Sequence, residues 1–156
     1  MMNELSLRLA GIKDCKLIWR WANDPEVRKN AYNSDPIPWQ DHKEWFECKV
    51  NSSSSVIYIA EIESKPVGQI RFEIEQSVAA VDVSVSKRMR GEGYGTMIIS
   101  QGTKKVLEDL KVERIDAFVK TDNVASRKAF ERAGYTVEEE TIKKGEESYR
   151  LSIHTT

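Results

Sequence analysis

The segment from Val78 to Thr96 limits the fold more tightly than any other. Val81, Val83 and Val85 alternate with Asp82, Ser84 and Ser86, a period of two that predicts a strand with one apolar and one polar face. A few residues on comes Arg90-Gly91-Glu92-Gly93-Tyr94-Gly95-Thr96, then a helix predicted to run to about Leu110 with Ile98, Ile99, Val106, Leu107 and Leu110 inward. Strand, glycine turn and helix in that order bring unpaired N–H groups to a helix start. Glycines let a ligand approach the backbone, and the N–H groups favour a phosphate. Two familiar nucleotide patterns fail. A Walker loop needs a lysine where Gly95 stands before Thr96, and a dinucleotide fingerprint from Gly91 needs glycine at Thr96 and an acidic residue near Lys111.

The rest of the chain fits around this unit. An opening strand precedes a helical third, in which Asp14 is placed as an N-cap with Leu17, Ile18 and Trp21 following at helical spacing. Pro25 suits a first helical turn, and Pro36 and Pro38 precede a helix over Trp39–Val50. Strands are predicted at Val56–Ala60 and Val67–Ile74, separated by a turn at Glu63–Pro66. After the glycine unit come a strand over Arg114–Lys120 and a helix over Asn123–Ala133. That helix has Ala125, Ala129, Phe130 and Ala133 inward, and Gly134 as its left-handed stop. Two strands around a turn at Lys144-Gly145 end the chain. The fold class is α/β in the α+β sense, a mixed, mostly antiparallel sheet of about seven strands flanked by helices, in one domain spanning 1–156.

Composition narrows the function classes. Lys plus Arg total 24 against 25 Asp plus Glu, a net charge of −1, so neither nucleic acid nor an anionic membrane is an expected partner. The longest apolar run, Val56–Ala60, is far below the roughly 20 residues of a membrane helix. Met1-Met2-Asn3-Glu4 lacks the blocks of a signal peptide, and only Cys15 and Cys48 occur, so a cytoplasmic location is expected. Two histidines and two distant cysteines form no metal-ligand pattern, so no metal is expected.

Arg90-x-x-Gly93-x-Gly95 resembles the pyrophosphate loop of the GNAT superfamily of acyl-CoA N-acetyltransferases: Gln or Arg, two residues, Gly, one residue, Gly or Ala. Asn123-x-x-Ser126-x-x-x-Phe130-x-x-x-Gly134-Tyr135 is similar to the second motif of that family. The resemblance spans the chain and implies acetyl-CoA as co-substrate. Backbone amides of Arg90, Gly91, Glu92, Gly93, Tyr94, Gly95 and Thr96 would hold its pyrophosphate. The strand edge at Val83, Ser84 and Val85 would pair with the pantetheine amides, and Asn123, Ser126 and Phe130 would lie beside that arm. It also leaves room for a homodimer.

Trp19-x-Trp21-x-Asn23-Asp24-Pro25-x-Val27-Arg28, then His42-x-x-Trp45-Phe46, with Gln69-x-Arg71-Phe72, resembles the branch holding ribosomal-protein and nucleotide-linked amino-sugar acetyltransferases. That resemblance implies a nucleotide-linked amino sugar as acceptor, with Asn23, Arg28, His42, Trp45 and Arg71 in contact with it. The aromatics at helical spacing equally suit a core, and Asn23 and Arg28 equally suit structural jobs. A ribosomal-protein N-terminal amine, or acyl-CoA binding without turnover, are the other readings. For catalysis, Asp82 is the carboxylate on the polar strand face and Asn123 the second-motif polar group. Phe130 stands where many of the family carry a tyrosine, so no side-chain acid is expected at the sulfur.

Overall fold

The structure is a computed structural model describing residues 4–155; Met1, Met2, Asn3 and Thr156 of the expected 1–156 domain lie outside the described residues. The chain runs β1 (Leu5–Leu9), α1 (Cys15–Ala22), α2 (Pro25–Asn30), α3 (Trp39–Val50), β2 (Ser55–Ile62), β3 (Lys65–Glu75), β4 (Val78–Val85), α4 (Tyr94–Asp109), β5 (Arg114–Lys120), α5 (Val124–Arg132), β6 (Thr136–Lys143) and β7 (Glu146–His154). One seven-stranded sheet has the order β1-β2-β3-β4-β5-β7-β6, and among its pairs only β4–β5 is parallel. The parallel pair exists because α4 is the crossover between them, whereas the antiparallel pairs β2–β3, β3–β4 and β6–β7 close through tight turns.

Strand alternation sends apolar residues to both faces. Ile70, Phe72, Ile115 and Leu151 meet Ile98, Ile99 and Val106 of α4, and Phe130 of α5 joins them. A Cβ at Gly102 would stand 2.8 Å from Ile70 Cδ1, so glycine there sets how closely α4 lies on the sheet. On the opposite face, Ile57 and Ile59 pack with Cys15, Ile18 and Phe46 beneath α1 and α3. Helices α1 and α3 thus cover the β1–β3 side of this face.

Three local expectations need correction. Asp14 precedes α1 but makes no side-chain cap there. Its carboxylate accepts the Gly11 N–H at 2.8 Å and both Arg8 terminal nitrogens at 2.8 and 2.9 Å. Arg8, opposed by burial and joined by Gly11, holds that carboxyl below the usual range. Ala125 is exposed, so the inward side of α5 is Ala129, Phe130 and Ala133. The β2–β3 turn is confined to Glu63 and Ser64, both at positive φ, and Lys65 and Pro66 already belong to β3. Gly134 does adopt φ +103°.

Candidate active site

The central feature is a split in the sheet. β4 and β5 pair only at Val78↔Arg114, Ala79↔Ile115 and Ala80↔Asp116, and from Val81 on they part. The β3–β4 ladder says which atoms face the gap. Ser86 N–H donates to Val67 O at 2.8 Å, and in an antiparallel ladder hydrogen-bonded residues recur every second position. Ser84 and Asp82 therefore turn their N–H groups toward β3, and Val81, Val83 and Val85 turn theirs into the split. Arg90 Nε donates to Val85 O at 3.0 Å, as a carbonyl facing the gap requires.

The split ends at the glycine turn. Gly91 and Gly93 sit at φ +81° and +87°, conformations that side-chain-bearing residues avoid. Gly93 is the N-cap of α4 and offers no capping side chain, so the first N–H groups, at Tyr94, Gly95 and Thr96, stay available, and Met97 N–H is the first to bond within the helix. Arg90 braces the turn, since its guanidinium also donates to Asp24 Oδ1 at 3.1 Å. Asp24 in turn caps α2 through Glu26 N–H. Across the gap, Asn123 follows β5 and caps α5 by accepting the Ser126 N–H at 3.3 Å.

Asp82, Ser84, Gln69 and Arg71 share the sheet face that α1 and α3 half cover. Gln69 is 4% exposed and donates from Nε2 to Asp82 Oδ2 at 3.2 Å and to Ser84 Oγ at 3.1 Å. Its Oε1 is buried without a partner among the described residues. Arg71 lies with its guanidinium carbon 4.8 Å from the Trp45 ring centre and one terminal nitrogen 3.6 Å from Asp82; its Nε is likewise buried and unpartnered. Both residues lie on the sheet face that carries Asp82, so a polar group bound there would find an acceptor and a donor unused.

Other expected site residues have structural jobs. His42 is 3% exposed, sits among Trp39, Trp45 and Phe46, and its Nε2 is 2.9 Å from Cys15 O. Burial lowers its pKa, and the ring fills the core beneath α1 and α3 instead of presenting a surface to an acceptor. Asn23 uses both ends of its amide on Ile37, donating to its carbonyl at 3.0 Å and accepting its N–H at 2.7 Å. Arg28 donates to the carbonyls of Ala22, Asn33 and Asp35 and so ties down the loop between α2 and α3. Phe130 is 3% exposed and packs edge-on against Tyr135, so it presents almost no surface to a cofactor. Reading the sequence overlooked the Gln69 clamp on Asp82, although its place two residues before Arg71 on an alternating strand put it on the right face. It also overlooked Tyr32, in a segment with no pattern.

Within the described residues no group of three or more metal-ligating side chains occurs, and no helix is long and apolar enough to cross a membrane. The split parallel pair, closed by a glycine turn at the start of α4, leaves main-chain N–H groups free to meet an anionic ligand. Residues 4–136 match the family model for the acetyltransferase (GNAT) domain, and the chain belongs to that family; it is an acetyltransferase. Acetyltransferase PseH of Campylobacter jejuni is 20% identical over 128 residues, covering 82% of this chain and 80% of its own. The L-amino acid N-acetyltransferase AaaT of Escherichia coli is 23% identical over 142 residues, 88% of this chain and 86% of that protein. The Vibrio cholerae spermidine N-acetyltransferase, solved with CoA and spermine, superposes with a TM-score of 0.86 at 16% identity over 96% of this chain and 95% of the other. The fold expected from the sequence is the fold observed.

Proposed function

We propose that this protein transfers the acetyl group of acetyl-CoA to the primary amine of a nucleotide-linked amino sugar. One observation carries the acceptor class: a guanidinium over an indole ring, Arg71 4.8 Å from the Trp45 ring centre, beside a carboxylate held by Gln69. A planar cation backed by an aromatic shelf suits an acceptor with both an anionic group and flat rings. It suits a polycationic acceptor poorly. The likeness to an L-amino acid N-acetyltransferase keeps a carboxylate-bearing amine as the competing acceptor.

On this reading the pyrophosphate sits on the N–H groups of residues 90–96 and the pantetheine arm runs along Val83, Ser84 and Val85, adding a strand to the free edge of β4. Asn123 and Ser126 bound the arm from the β5 side. The neutral amine attacks the thioester carbonyl, the C–N bond forms, and an N–H of the β4 edge stabilises the oxyanion. The C–S bond then breaks and the thiolate leaves with the CoA. The amine proton goes to Asp82, directly or through water. Electron-withdrawing ring oxygens make a sugar amine less basic than lysine, whose reference value is about 10.4, so a modest base suffices. The test is incubation with acetyl-CoA and a panel of nucleotide-linked amino sugars, free amino sugars, L-amino acids and spermidine, with acceptor mass read out. Acetylation confined to amines without an anionic group overturns the proposal.

A further inference from the structure

Across the split from Asp82, side chains from three distant segments converge. The register Ala80↔Asp116, carried on at the strand period of two, puts Phe118 and Lys120 of β5 on the same face as Asp82 and Ser84. β6 adds Lys143, and the segment between α2 and α3 adds Tyr32. Lys143 Nζ stands 3.6 Å from the Phe118 ring centre and 5.9 Å from that of Tyr32. Lys120 Nζ approaches the same tyrosine ring, also at 5.9 Å. The Tyr32 hydroxyl is 2.8 Å from Ser148 Oγ, which is fully buried, so the ring that both ammonium groups approach is fixed in place.

Neither ammonium has a carboxylate within ion-pair distance among the described residues. Lys120 reaches only the Lys29 carbonyl, at 3.5 Å. Glu146 stands opposite Lys143 in the β6–β7 hairpin without pairing to it. Asp116, the buried carboxylate of this face, is saturated by Arg114, Arg150 and Ser152, whose Oγ donates at 2.6 Å. Burial, then the charge of Lys144, holds the Lys143 ammonium below its ordinary value against a pull from Asp116. Two half-buried ammonium groups thus approach one ring with no carboxylate to pair them, and an anion beside that ring would find both as donors.

We infer that Lys120 and Lys143, held about Tyr32 and Phe118, bind an oxyanion carried by the acceptor and thereby aim its amine across the split at Asp82. This rests on the reading of the Asp82 face as the acceptor side. The shared chemistry is a phosphate or carboxylate covalently attached to the amine-bearing molecule; paired lysines beside two flat rings favour the phosphates of a nucleotide.

The test uses Lys120→Met, Lys143→Met and the double variant, which keep the aliphatic stems on the rings and remove the charges. Kinetics are measured with a nucleotide-linked amino sugar, the same sugar unlinked, and an L-amino acid, with acetyl-CoA affinity and melting temperature as checks on folding. For the oxyanion-bearing acceptor the double variant should raise KM about ten- to a hundred-fold, far more than for the unlinked sugar, and Lys143→Arg should recover most of its share. The wild-type KM should also climb with salt more steeply than that of the double variant. Equal KM values for wild type and double variant on an oxyanion-bearing acceptor overturn the inference while leaving the sugar assignment standing. Turnover of the amino acid alone, with a lysine-dependent KM, overturns the sugar assignment and supports the pocket. Preference for a neutral or polycationic amine, indifferent to both lysines, overturns both.

Discussion

The two sides of the split are made of different material. On the proposed reading the donor side is main chain: β4 amides at Val81, Val83 and Val85, glycines at positive φ, and the uncapped start of α4. On the same reading the acceptor side is side chains gathered from six segments: Tyr32 from a loop, Trp45 from α3, Gln69 and Arg71 from β3, Asp82 from β4, Phe118 and Lys120 from β5, and Lys143 from β6. A main-chain site recognises what every substrate pair shares, a diphosphate and two amides. The side-chain site can change residue by residue without disturbing the ladder, so it can carry specificity. If so, substitutions on the two sides should fail in different ways.

The largest effect is expected on the donor side. Gly93→Val places a branched residue at φ +87°, where an L side chain costs roughly 1–2 kcal/mol, and puts bulk against the phosphate path. Acetyl-CoA binding by calorimetry should be abolished while the melting temperature falls only modestly. Equal affinity in wild type and variant would break the assignment of the glycine turn.

Next comes Asp82→Asn, which should lower kcat about a hundred-fold, the lower end of what a positioned base contributes, with acetyl-CoA affinity unchanged. A change below threefold would place Asp82 with the surface residues. Gln69 sharpens the same point as a positioning residue. Gln69→Leu removes the hydrogen bond to Asp82 and should cost about tenfold in kcat. Gln69→Glu sets a like charge against Asp82, so the acid limb of the kcat profile should move to higher pH. A purely structural Gln69 would leave that limb where it was.

The same contrast explains what could be read in advance. The strand over Arg114–Lys120 and the helix over Trp39–Val50 were legible to the residue because alternation and apolar spacing are local patterns with clear stops. The glycine turn was legible because its positive-φ positions, Gly91 and Gly93, carry the residue that conformation favours. Asn23, Arg28 and His42 could not be sorted in advance, because a polar residue beside a cleft and one that ties a loop or fills a core are spelled alike. His42 is written as a candidate ligand and folded as a buried ring between three aromatics. Tyr32, Lys120 and Lys143 carry no local signal at all; only the β5–β7–β6 ordering and the reach of the α2–α3 loop bring them together.

His42 offers a test of that lesson. Burial lowers its folded pKa, so an unfolded chain takes up a proton near pH 6.5 that the folded chain refuses until lower pH. Stability from this residue is therefore complete above about pH 6.5 and lost as the pH falls through that value toward the folded pKa. His42→Phe should flatten the fall of melting temperature just below pH 6.5 and leave acceptor KM unchanged. A rise in KM without a change in that slope would return His42 to the acceptor site.

The smallest effect is expected where a hydroxyl near the sulfur would be sought. Phe130 occupies the position seven residues after Asn123 and has no proton to give. Tyr135, its edge-on neighbour, is 3% exposed, and its hydroxyl lies 2.8 Å from Thr103 Oγ inside the core. Burial pushes that phenol well above its ordinary value, partly offset by Thr103. Tyr94, at 7% exposure, points inward from the first turn of α4. Neither hydroxyl can shuttle a proton to a thiolate in the split, and none is needed, because a thiol with a pKa near 8.5 leaves readily unprotonated. Tyr135→Phe should lose about 1 kcal/mol of stability with the Thr103 bond. Both Tyr135→Phe and Tyr94→Phe should keep kcat within several-fold, whereas removal of a true general acid costs about 10²–10⁴. A loss of that size in either variant, with acetyl-CoA binding intact, would show that the main-chain side of the split also carries a catalytic side chain.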